Sequence, residues 1–564
     1  MNQKVLAPAL FVVVIGALVV QLLGMVRDRH DTYEWFEPIQ DVLWELNKNY
    51  VTEPDFEQLQ LGAIQGMIDT LDDPYTEFIP RKEIEGFRKA TEGSYAGIGA
   101  EVNILDGWLT VTSPMVGSPA LDAGIQAGDQ VRAIDGMTTE GEPIDLSIKR
   151  LTGPPDTEVI ATIYRPSAGD SGETFDLTLT RKQIQVETVE GLVRREREQW
   201  NCMVDPENGI AYIRIGQFTH TTAQEFRDLL VPLVEDGLQG LVLDLRLNPG
   251  GSLAAALDVC DVFLSSGMIV SVKGRAGGEE MATAHASGTL PDFPMVVLVN
   301  GQSASASEIT AGALKDHGRA KVLGTRTFGK GLVQKVEHEL ESGAGWLKLT
   351  TDHYYLPSGK NIHRQPDSEA WGVDPDEGFY LPLTMAEMRR VVRVQRELQV
   401  IREGSGSEGQ WDDPDWILER MEDPQLAAAV KSLRSKVTTD EWEATGRVME
   451  ADEEIIAQLR LTEERRDLIL TQLDRMDREI ARLEAFQDES EQEAFYDIIP
   501  DDQVITGGIV EIRAPDGRVV TSLTIQDQDQ LEAALYRLGL KPADVSGEDA
   551  DADGDAQEEE AGDN

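Results

Sequence analysis

A short apolar run followed by alternating small residues constrains the fold of this chain more than any other stretch. Met295–Val299 contains no polar residue, as expected of a strand that is buried on both faces. Serines and alanines alternate after it, and the chain continues into Glu308–Leu314. This order predicts a buried strand, a tight turn and a helix. The helix begins near three serines, which are Ser303, Ser305 and Ser307.

A serine at the start of a helix has two possible roles. Backbone N–H groups are free at a helix N-terminus and stabilise negative charge, which favours a nucleophilic hydroxyl there. Serine is also a preferred N-cap residue with no chemical role. This stretch alone leaves both roles open.

Strands and helices alternate through Leu192–Met385, which predicts a layered α/β domain. The clearest examples are a strand at Gly209–Ile215, an amphipathic helix at Thr222–Glu235, a buried strand at Gly240–Leu245 and a helix at Ser252–Ser265.

Length and charge exclude some classes of protein. A chain of 564 residues is too long for one core, so we expect several domains. The net charge of −51 argues against a nucleic-acid-binding protein, because phosphate contacts need clustered Lys and Arg. Part of that charge lies in Gly547–Asn564, whose composition is typical of a solvated acidic tail.

The histidines and cysteines have no metal-ligand spacing. We therefore expect no metal site, and no cofactor is implied. Cys202 and Cys260 could form a disulfide in an oxidising compartment. The apolar surroundings of Cys260 favour the alternative, a small buried hydrophobic side chain.

An apolar segment near the N-terminus predicts a membrane anchor. Val5–Val26 is a run of 22 residues without charge, which is long enough to span a bilayer. A cleaved signal peptide has a shorter apolar region and a small-residue cleavage site, so we favour an uncleaved anchor. The following segment, Tyr33–Thr91, has helical periodicity.

Short strands and glycine turns begin at Gly93 and resemble a PDZ domain. The resemblance rests on a glycine-rich loop before a strand, the segment AGIQAGDQVRAIDG and a helix near Ile144–Leu151. It implies that a peptide adds as a strand beside Ala100–Ile104. The peptide carboxylate would bind loop amides at Ala96, Gly97, Ile98 and Gly99. The alternative is that these glycines only form a tight turn.

The C-terminal third gives structural predictions and no functional one. Glu403–Gln410 has the composition of a linker. A spacing of three and four residues between apolar side chains in Ile455–Leu483 predicts a helical hairpin or a weak coiled coil. The segment Ile509–Ile525 predicts a β-hairpin.

Ser305 and Lys330 are candidates for a nucleophile and its base. A serine hydroxyl needs a base to remove its proton, and lysine can do so only while it is neutral. Burial in the small and apolar surroundings of Thr327–Val333 would lower the lysine pKa. Gln334 would face the same way as Lys330 on a strand and could orient the amine. The alternative for Lys330 is a solvated surface residue.

Backbone amides could bind the oxyanion of such a reaction. Asn248–Gly251 is a turn at a strand end, where Gly250 or Gly251 can present an N–H. The amide of Ala306, next to Ser305, would supply the second donor. A purely structural turn is the competing explanation for the glycines.

These features together resemble the tail-specific serine proteases of peptidase family S41, the carboxy-terminal processing peptidases. The resemblance implies that Ser305 is the nucleophile, Lys330 its base and Gln334 the residue that positions the base. It also implies that Gly250 or Gly251 and Ala306 form the oxyanion hole and that Ser303 and Ser307 are structural. Besides the PDZ segment, the matching segments are GMIDTLDDPYTEFIP, LVLDLRLNPGGSL, SASASEITAGALKDHGRAKVLGTRTFGKGLVQ, YYLPSGKNI, GVDPDE and DPQLAAAV.

The resemblance implies a multidomain α/β protein with a crotonase-like protease core and an inserted, β-rich PDZ domain. The expected segments are an anchor (1–29), a helical region (30–92), the PDZ domain (93–186), the protease core (187–402), a helical extension (403–500), a β-hairpin plus helix (501–540) and an acidic tail (541–564). The family often has Leu-Asp-Pro-His-Ser where this chain has Leu71–Thr76, a difference expected to affect the helical scaffold and not catalysis.

The sequence therefore predicts a serine endopeptidase that recognises protein C-termini and needs no cofactor. The PDZ resemblance implies that these C-termini are apolar. We expect a single-pass inner-membrane protein with a periplasmic catalytic domain, and homo-oligomers could form through the C-terminal helices. The alternatives are a catalytically silent PDZ scaffold and a crotonase-type acyl-thioester enzyme. The intact set of Ser305, Lys330 and Gln334 argues against the scaffold. The PDZ domain and the Ser–Lys pair argue against the thioester enzyme.

Overall fold

The fold is described from a computed structural model of the chain. The structure describes residues 35–449, except 85, 89–92, 167–171, 196–198, 276, 341, 366–367, 369, 401–409 and 412, then scattered positions in 456–478, and finally 509–513 and 519–524. The chain divides into two compact units, Met1–Leu461 and Thr462–Asn564.

The described part of the first unit begins with two helices and a strand. A helix covers residues 35–49. The next, Phe56–Asp69, begins after Asp55, whose side chain accepts hydrogen bonds from two backbone amides of the first turn. Strand β1 (Glu77–Pro80) follows.

A β-rich region comes next, and its architecture agrees with a PDZ domain. It contains the helices Pro119–Asp122 and Ile144–Leu151. Its strands are β2 (Ser94–Gly97), β3 (Ala100–Leu105), β4 (Trp108–Pro114), β5 (Gln130–Ile134), β6 (Met137–Thr138), β7 (Glu158–Arg165), β8 (Glu173–Thr180) and β9 (Lys182–Gln185). The main sheet has the order β3-β4-β5-β7-β8, so β3 lies at its edge, and β2 pairs with β9.

The strands of the α/β region form two larger sheets and a small hairpin. In chain order they are β10 (Val189–Glu190), β11 (Val193–Arg195), β12 (Gln199–Asn201), β13 (Met203–Asp205), β14 (Ile210–Ile215), β15 (Gly240–Asp244), β16 (Met268–Gly274), β17 (Glu279–Thr283), β18 (Met295–Val299), β19 (Lys321–Gly324), β20 (Leu332–Glu339) and β21 (Gly345–Tyr355). One sheet has the order β10-β14-β15-β18-β19, and the other has the order β1-β21-β16-β17 with β20 on β21.

Helices cover both faces of the first sheet. The helices of the region are Thr222–Glu235, Leu253–Asp261, Ala306–Asp316, Met385–Gln399, Pro414–Met421 and Pro424–Thr439. Every residue of β15 and β18 is buried. Alternate side chains of these strands pack against Leu253–Asp261 and Ala306–Asp316 on one face. The remaining ones pack against Pro424–Thr439 on the other face, which explains the continuous apolar runs in the sequence.

Parallel pairing of β15 with β18 places two turns side by side. The pairing aligns Asp244 with Leu298, so both strands end at the same edge of the sheet. The turn after β15 then contacts the turn after β18. Ala304 donates its backbone N–H to the carbonyl of Asn248 at 3.0 Å, and Leu247 donates to the Asn300 side chain at 3.1 Å.

A buried ion cluster fixes the turn after β15 to the C-terminal helix of this region. The guanidinium of Arg246 donates to the carboxylates of Asp244 and Asp423, each at 2.6 Å for the closest pair. All three side chains are at most 3% exposed. Asp423 is also the N-cap of Pro424–Thr439. The cluster therefore joins this helix to the strand end.

The two cysteines do not form a disulfide. Cys202 and Cys260 are both buried and free. Burial raises the pKa of each thiol to about 12, so both are small core side chains rather than reactive thiols.

The prediction of a single-pass membrane protein is wrong for the part of the chain that the structure describes. No helix among the described residues is long and apolar enough to cross a membrane. A crossing needs about 20 consecutive apolar residues. Described helices such as Pro424–Thr439 have 16 residues and carry charges. The predicted segment, residues 5–26, from which the periplasmic location is inferred, lies outside the described residues.

The second unit is described at a few helical positions between 462 and 478 and in one β-hairpin. Strand β22 (Ile509–Arg513) pairs antiparallel with β23 (Val519–Thr524). These strands lie in the segment for which the sequence predicts a hairpin. Most of the predicted linker and the acidic tail lie outside the described residues.

We predict that Arg246→Met lowers the free energy of unfolding by about 3–5 kcal/mol at neutral pH, because it leaves two buried carboxylates without their cation. The pKa of Asp244 is held low by Arg246 against the effect of burial. Without Arg246 that pKa would rise, so the deficit should shrink as the pH falls and the Asp244 carboxyl binds a proton.

Urea unfolding at several pH values measures this effect. The control is Lys431→Met, which removes an exposed cation that pairs with Glu443 and should cost less than about 1 kcal/mol. Equal deficits for the two variants would contradict the prediction.

Candidate active site

Ser305 lies at the N-terminus of Ala306–Asp316 in a strained backbone conformation. Its φ is 57° and its ψ is −115°. A positive φ costs a residue with a Cβ about 1–3 kcal/mol, so surrounding contacts must hold it in place. The conformation sets Ser305 in the turn between β18 and the helix, half-buried at the edge of the sheet.

The three serines of this turn have different contacts. The Ser303 hydroxyl donates to the carbonyl of Leu245 at 2.7 Å, and the Ser307 hydroxyl donates to that of Asn248 at 3.1 Å. Both serines are fully buried and fasten the two turns to each other. The Ser305 Oγ instead accepts a hydrogen bond from the Tyr354 hydroxyl at 2.9 Å.

Glu308 binds both the serine and the lysine segments. Its carboxylate is fully buried and lies one turn into the helix. The backbone N–H groups of Ser305 and Lys330 both donate to Oε2 at 2.8 Å. Oε1 accepts from the Thr327 hydroxyl at 2.6 Å and from the Gly329 N–H at 2.7 Å. One side chain therefore binds the backbone of both Ser305 and Lys330, which are far apart in sequence.

Burial raises the pKa of Glu308, although its hydrogen bonds act to lower it. The carboxylate is tolerated in the core because each oxygen accepts two donors. The sequence contains a signal for part of this role, since Ser305 and Glu308 have the spacing of a capping box. The contacts to Thr327–Lys330 have no such local signal.

The Lys330 ammonium lies over the ring of Tyr75, with 4.6 Å from Nζ to the ring centroid. Burial is the main cause that lowers the pKa of Lys330, and the positive charge of Lys348 lowers it further. The charges of Asp73 and Glu308 act in the opposite direction. The Lys330 side chain is half-buried, and burial favours the neutral amine that can act as a base.

The turn that contains Tyr75 contacts this site, which differs from the expectation that it affects the scaffold alone. Thr76 accepts a hydrogen bond from the backbone N–H of Thr350 at 3.2 Å and donates to Asp73 at 2.7 Å. Pairing of β1 with β21 brings the turn to this position. Gln334 also binds this group, since its Nε2 donates to the Thr350 hydroxyl at 3.4 Å.

The glycine turn lies directly against Ser305. A Cβ on Gly250 would come within 2.7 Å of the Ser305 Cβ and 2.9 Å of the Ala306 nitrogen, so only glycine fits. The N–H of Gly250 donates to the Asn248 side chain at 2.8 Å. The N–H groups of Gly251 and Ala306 make no hydrogen bond within the described part of the chain. These two amides remain available to bind an oxyanion.

The loop predicted to bind a peptide carboxylate connects β2 to β3. Ala96 and Gly97 end β2, and Ile98 and Gly99 form the turn. Gly99 has a φ of 72°, and a Cβ there would come within 2.3 Å of the Ser118 Cβ. Among the described strands β3 pairs with β4 alone, so its other edge can accept a peptide strand.

Three segments of the chain match known protein families. Residues 209–378 match peptidase family S41, residues 22–83 match the activating protease CtpB N-terminal domain, and residues 110–165 match the PDZ domain. The chain is 35% identical over 429 residues to a carboxy-terminal-processing protease of Bartonella bacilliformis, covering 73% of this chain and 91% of that protein. The chain belongs to peptidase family S41.

One further relative and one solved structure are similar to this chain. A carboxyl-terminal-processing protease of Synechocystis sp. is 37% identical over 356 residues, which cover 62% of this chain and 79% of that protein. A solved photosystem II D1 C-terminal processing protease is 30% identical with a TM-score of 0.36, covering 60% of this chain and 86% of that protein. The predicted family is confirmed: this S41 protein is a serine peptidase with a PDZ domain, and its substrates are proteins or peptides.

We predict that Glu308→Gln lowers kcat at least about 100-fold, because misplacing reactive groups by about 1 Å has that effect. The glutamine NH₂ would face backbone N–H groups that now donate to Oε2, which leaves buried donors unpaired. Peptide hydrolysis measured beside urea unfolding tests the change.

The matched control is Glu387→Gln, because Glu387 has the same helix position after Thr384 and is only partly buried. That variant should keep wild-type activity and stability. Full activity of the Glu308 variant would show that its carboxylate does not hold the site together.

Proposed function

We propose that this S41 peptidase cleaves peptide bonds with a Ser305–Lys330 dyad and recognises substrate C-termini with its PDZ domain. The observation that carries the proposal is the Glu308 carboxylate, which binds the backbone of both residues. The strained Ser305 beside Gly250 supports it, since such backbone geometry is typical of functional sites.

In the proposed reaction, neutral Lys330 accepts the proton of the Ser305 hydroxyl while Oγ attacks the scissile carbonyl carbon. The amine must first move from the Tyr75 ring to Oγ. The oxyanion of the tetrahedral intermediate binds the amides of Gly251 and Ala306. The Lys330 ammonium then gives its proton to the leaving amine, and water hydrolyses the acyl-enzyme by the same steps in reverse.

Gln334 is the proposed positioning residue for Lys330. Its Nε2 already donates to Thr350. The Oε1 of the same amide is then the atom that could accept a hydrogen bond from the ammonium. This arrangement would orient the amine while it carries the proton.

The PDZ domain would bind the free C-terminus of a substrate. The turn amides at residues 96–99 would bind the carboxylate, and the substrate would add to the free edge of β3. The PDZ resemblance favours an apolar terminal side chain on the substrate. We assign the PDZ domain to 93–186 and a crotonase-like protease core to 187–402, and C-terminal helices could support a homo-oligomer.

We predict that Ser305→Ala and Lys330→Ala both abolish fluorophosphonate labelling and peptide hydrolysis by the full chain. Each removes a group that the acyl-transfer step requires, and loss of either member of such a unit costs most of the rate. The measurement is a labelling time course together with cleavage of a peptide that has a free apolar C-terminus.

Ser303→Ala is the control, because Ser303 is buried and holds the turn without facing the reaction. It should keep labelling, although at reduced stability. Cleavage by both the Ser305→Ala and the Lys330→Ala variant would refute the proposed dyad. Equal cleavage of the peptide and its C-terminal amide would refute recognition by the PDZ domain.

We predict that Lys348→Gln moves the rise of kcat/KM with pH to higher pH. The rise reports the loss of a proton from Lys330, whose pKa lies below its ordinary value of 10.5. The positive charge of Lys348 is one cause of that lowering, so removing it raises the pKa. At neutral pH less Lys330 is then neutral, while the plateau at high pH is unchanged.

A pH–rate profile of each variant measures this shift. Lys335→Gln is the control, because Lys335 lies in the same sheet, pairs with Asp352 and is not among the causes of the Lys330 shift. A profile for Lys348→Gln that stays in place or moves to lower pH would contradict Lys330 as the base.

A further inference from the structure

Tyr354 is the residue in contact with the proposed nucleophile that the mechanism above does not use. Its hydroxyl donates to the Ser305 Oγ at 2.9 Å. Its backbone N–H donates to the carbonyl of Gly331 at 3.1 Å. Tyr354 therefore binds the serine with its side chain and the residue after Lys330 with its backbone.

The surroundings of Tyr354 fix this contact. The residue lies near the end of β21, where it pairs with Val272 of β16. Its ring is 3% exposed and belongs to the same apolar core as Ile309 of the helix that begins after Ser305. Packing of this ring between a strand and a helix restricts the position of its hydroxyl.

We propose that Tyr354 is a third catalytic side chain, a fixed hydrogen-bond donor to the oxygen of the nucleophile. The proposal rests on the assignment of Ser305 as the nucleophile. A phenol that donates to one lone pair of Oγ leaves the Ser305 hydroxyl proton free to point to Lys330. The hydroxyl contact thus selects the orientation from which the proton can be transferred.

The same hydrogen bond should strengthen during the reaction. As the O–H bond of Ser305 breaks and its proton goes to Lys330, negative charge develops on Oγ, and hydrogen bonds to charged oxygens are about twice as strong as neutral ones. When the acyl-enzyme is hydrolysed, the bond between Oγ and the acyl carbon breaks and the same charge returns to Oγ. Tyr354 would stabilise Oγ in both steps without losing its own proton.

Burial supports this donor role. It is the main cause that raises the pKa of the Tyr354 phenol well above its ordinary value, and the charge of Glu308 adds to the rise. The raised pKa favours the protonated phenol over the phenolate. A protonated phenol can donate to Oγ, whereas a phenolate would compete with Lys330 for the serine proton.

The test is Tyr354→Phe in the full chain, which removes the hydroxyl and keeps the buried ring. We expect the rate of fluorophosphonate labelling and the kcat for peptide hydrolysis to fall together by about 10- to 100-fold, the order expected for losing one hydrogen bond to a charged group. KM and the urea midpoint should stay near wild type, which a merely structural role of the hydroxyl would not predict.

The matched control is Tyr355→Phe. It makes the same change one residue later, on a half-buried ring that faces the Lys273 ammonium at 4.8 Å. This control should keep wild-type rates. Wild-type labelling and kcat for Tyr354→Phe would overturn the inference, as would a rate loss explained entirely by a lower urea midpoint.

Ser305→Ala, measured in parallel, separates this inference from the proposed function. If Ser305→Ala is inactive while Tyr354→Phe equals wild type, the role of Tyr354 is refuted and the dyad stands. If Ser305→Ala still cleaves the peptide, the proposed function fails, and the inference about Tyr354 fails with it.

Discussion

The carboxylate of Glu308 is the interaction on which the rest of the site depends. It is fully buried and accepts four hydrogen bonds, two of them from the backbones of Ser305 and Lys330. Leaving such a group without partners in the core would cost several kcal/mol, so its donors are held in one arrangement. The backbone N–H of Ser305 donates to this carboxylate, and the contact helps to hold Ser305 in its strained conformation.

The sheet supplies the frame for that interaction. Parallel pairing of β15 with β18 brings the glycine turn against the serine turn, and the buried Arg246 cluster fastens the first of these turns to a helix on the opposite face. The antiparallel sheet adds Tyr354 through β21. The turn after β15 is therefore held by buried contacts on two sides.

The sequence predicts the parts of this site that depend on local patterns. The apolar strand, the serine turn and the helix follow from composition, and the long motifs identify the family. Glu308 is only partly predictable, from its capping-box spacing to Ser305. The contacts of Tyr354 and Tyr75 join residues that are distant in the chain, so no local pattern reveals them. Sequence patterns also do not reveal that the Gly250 N–H is hydrogen-bonded, because this contact depends on the conformation of the Asn248 side chain.

Tyr75 also bears on what the smallest active enzyme can be. The segment that matches the protease family begins at residue 209, after the PDZ domain, yet one wall of the lysine site comes from the turn before β1. That turn reaches the site because β1 is a strand of the antiparallel sheet of the protease core. Strand β1 and the turn before it therefore belong to the same sheet as strands of the S41-matching segment, and the PDZ-matching segment lies between them in the chain.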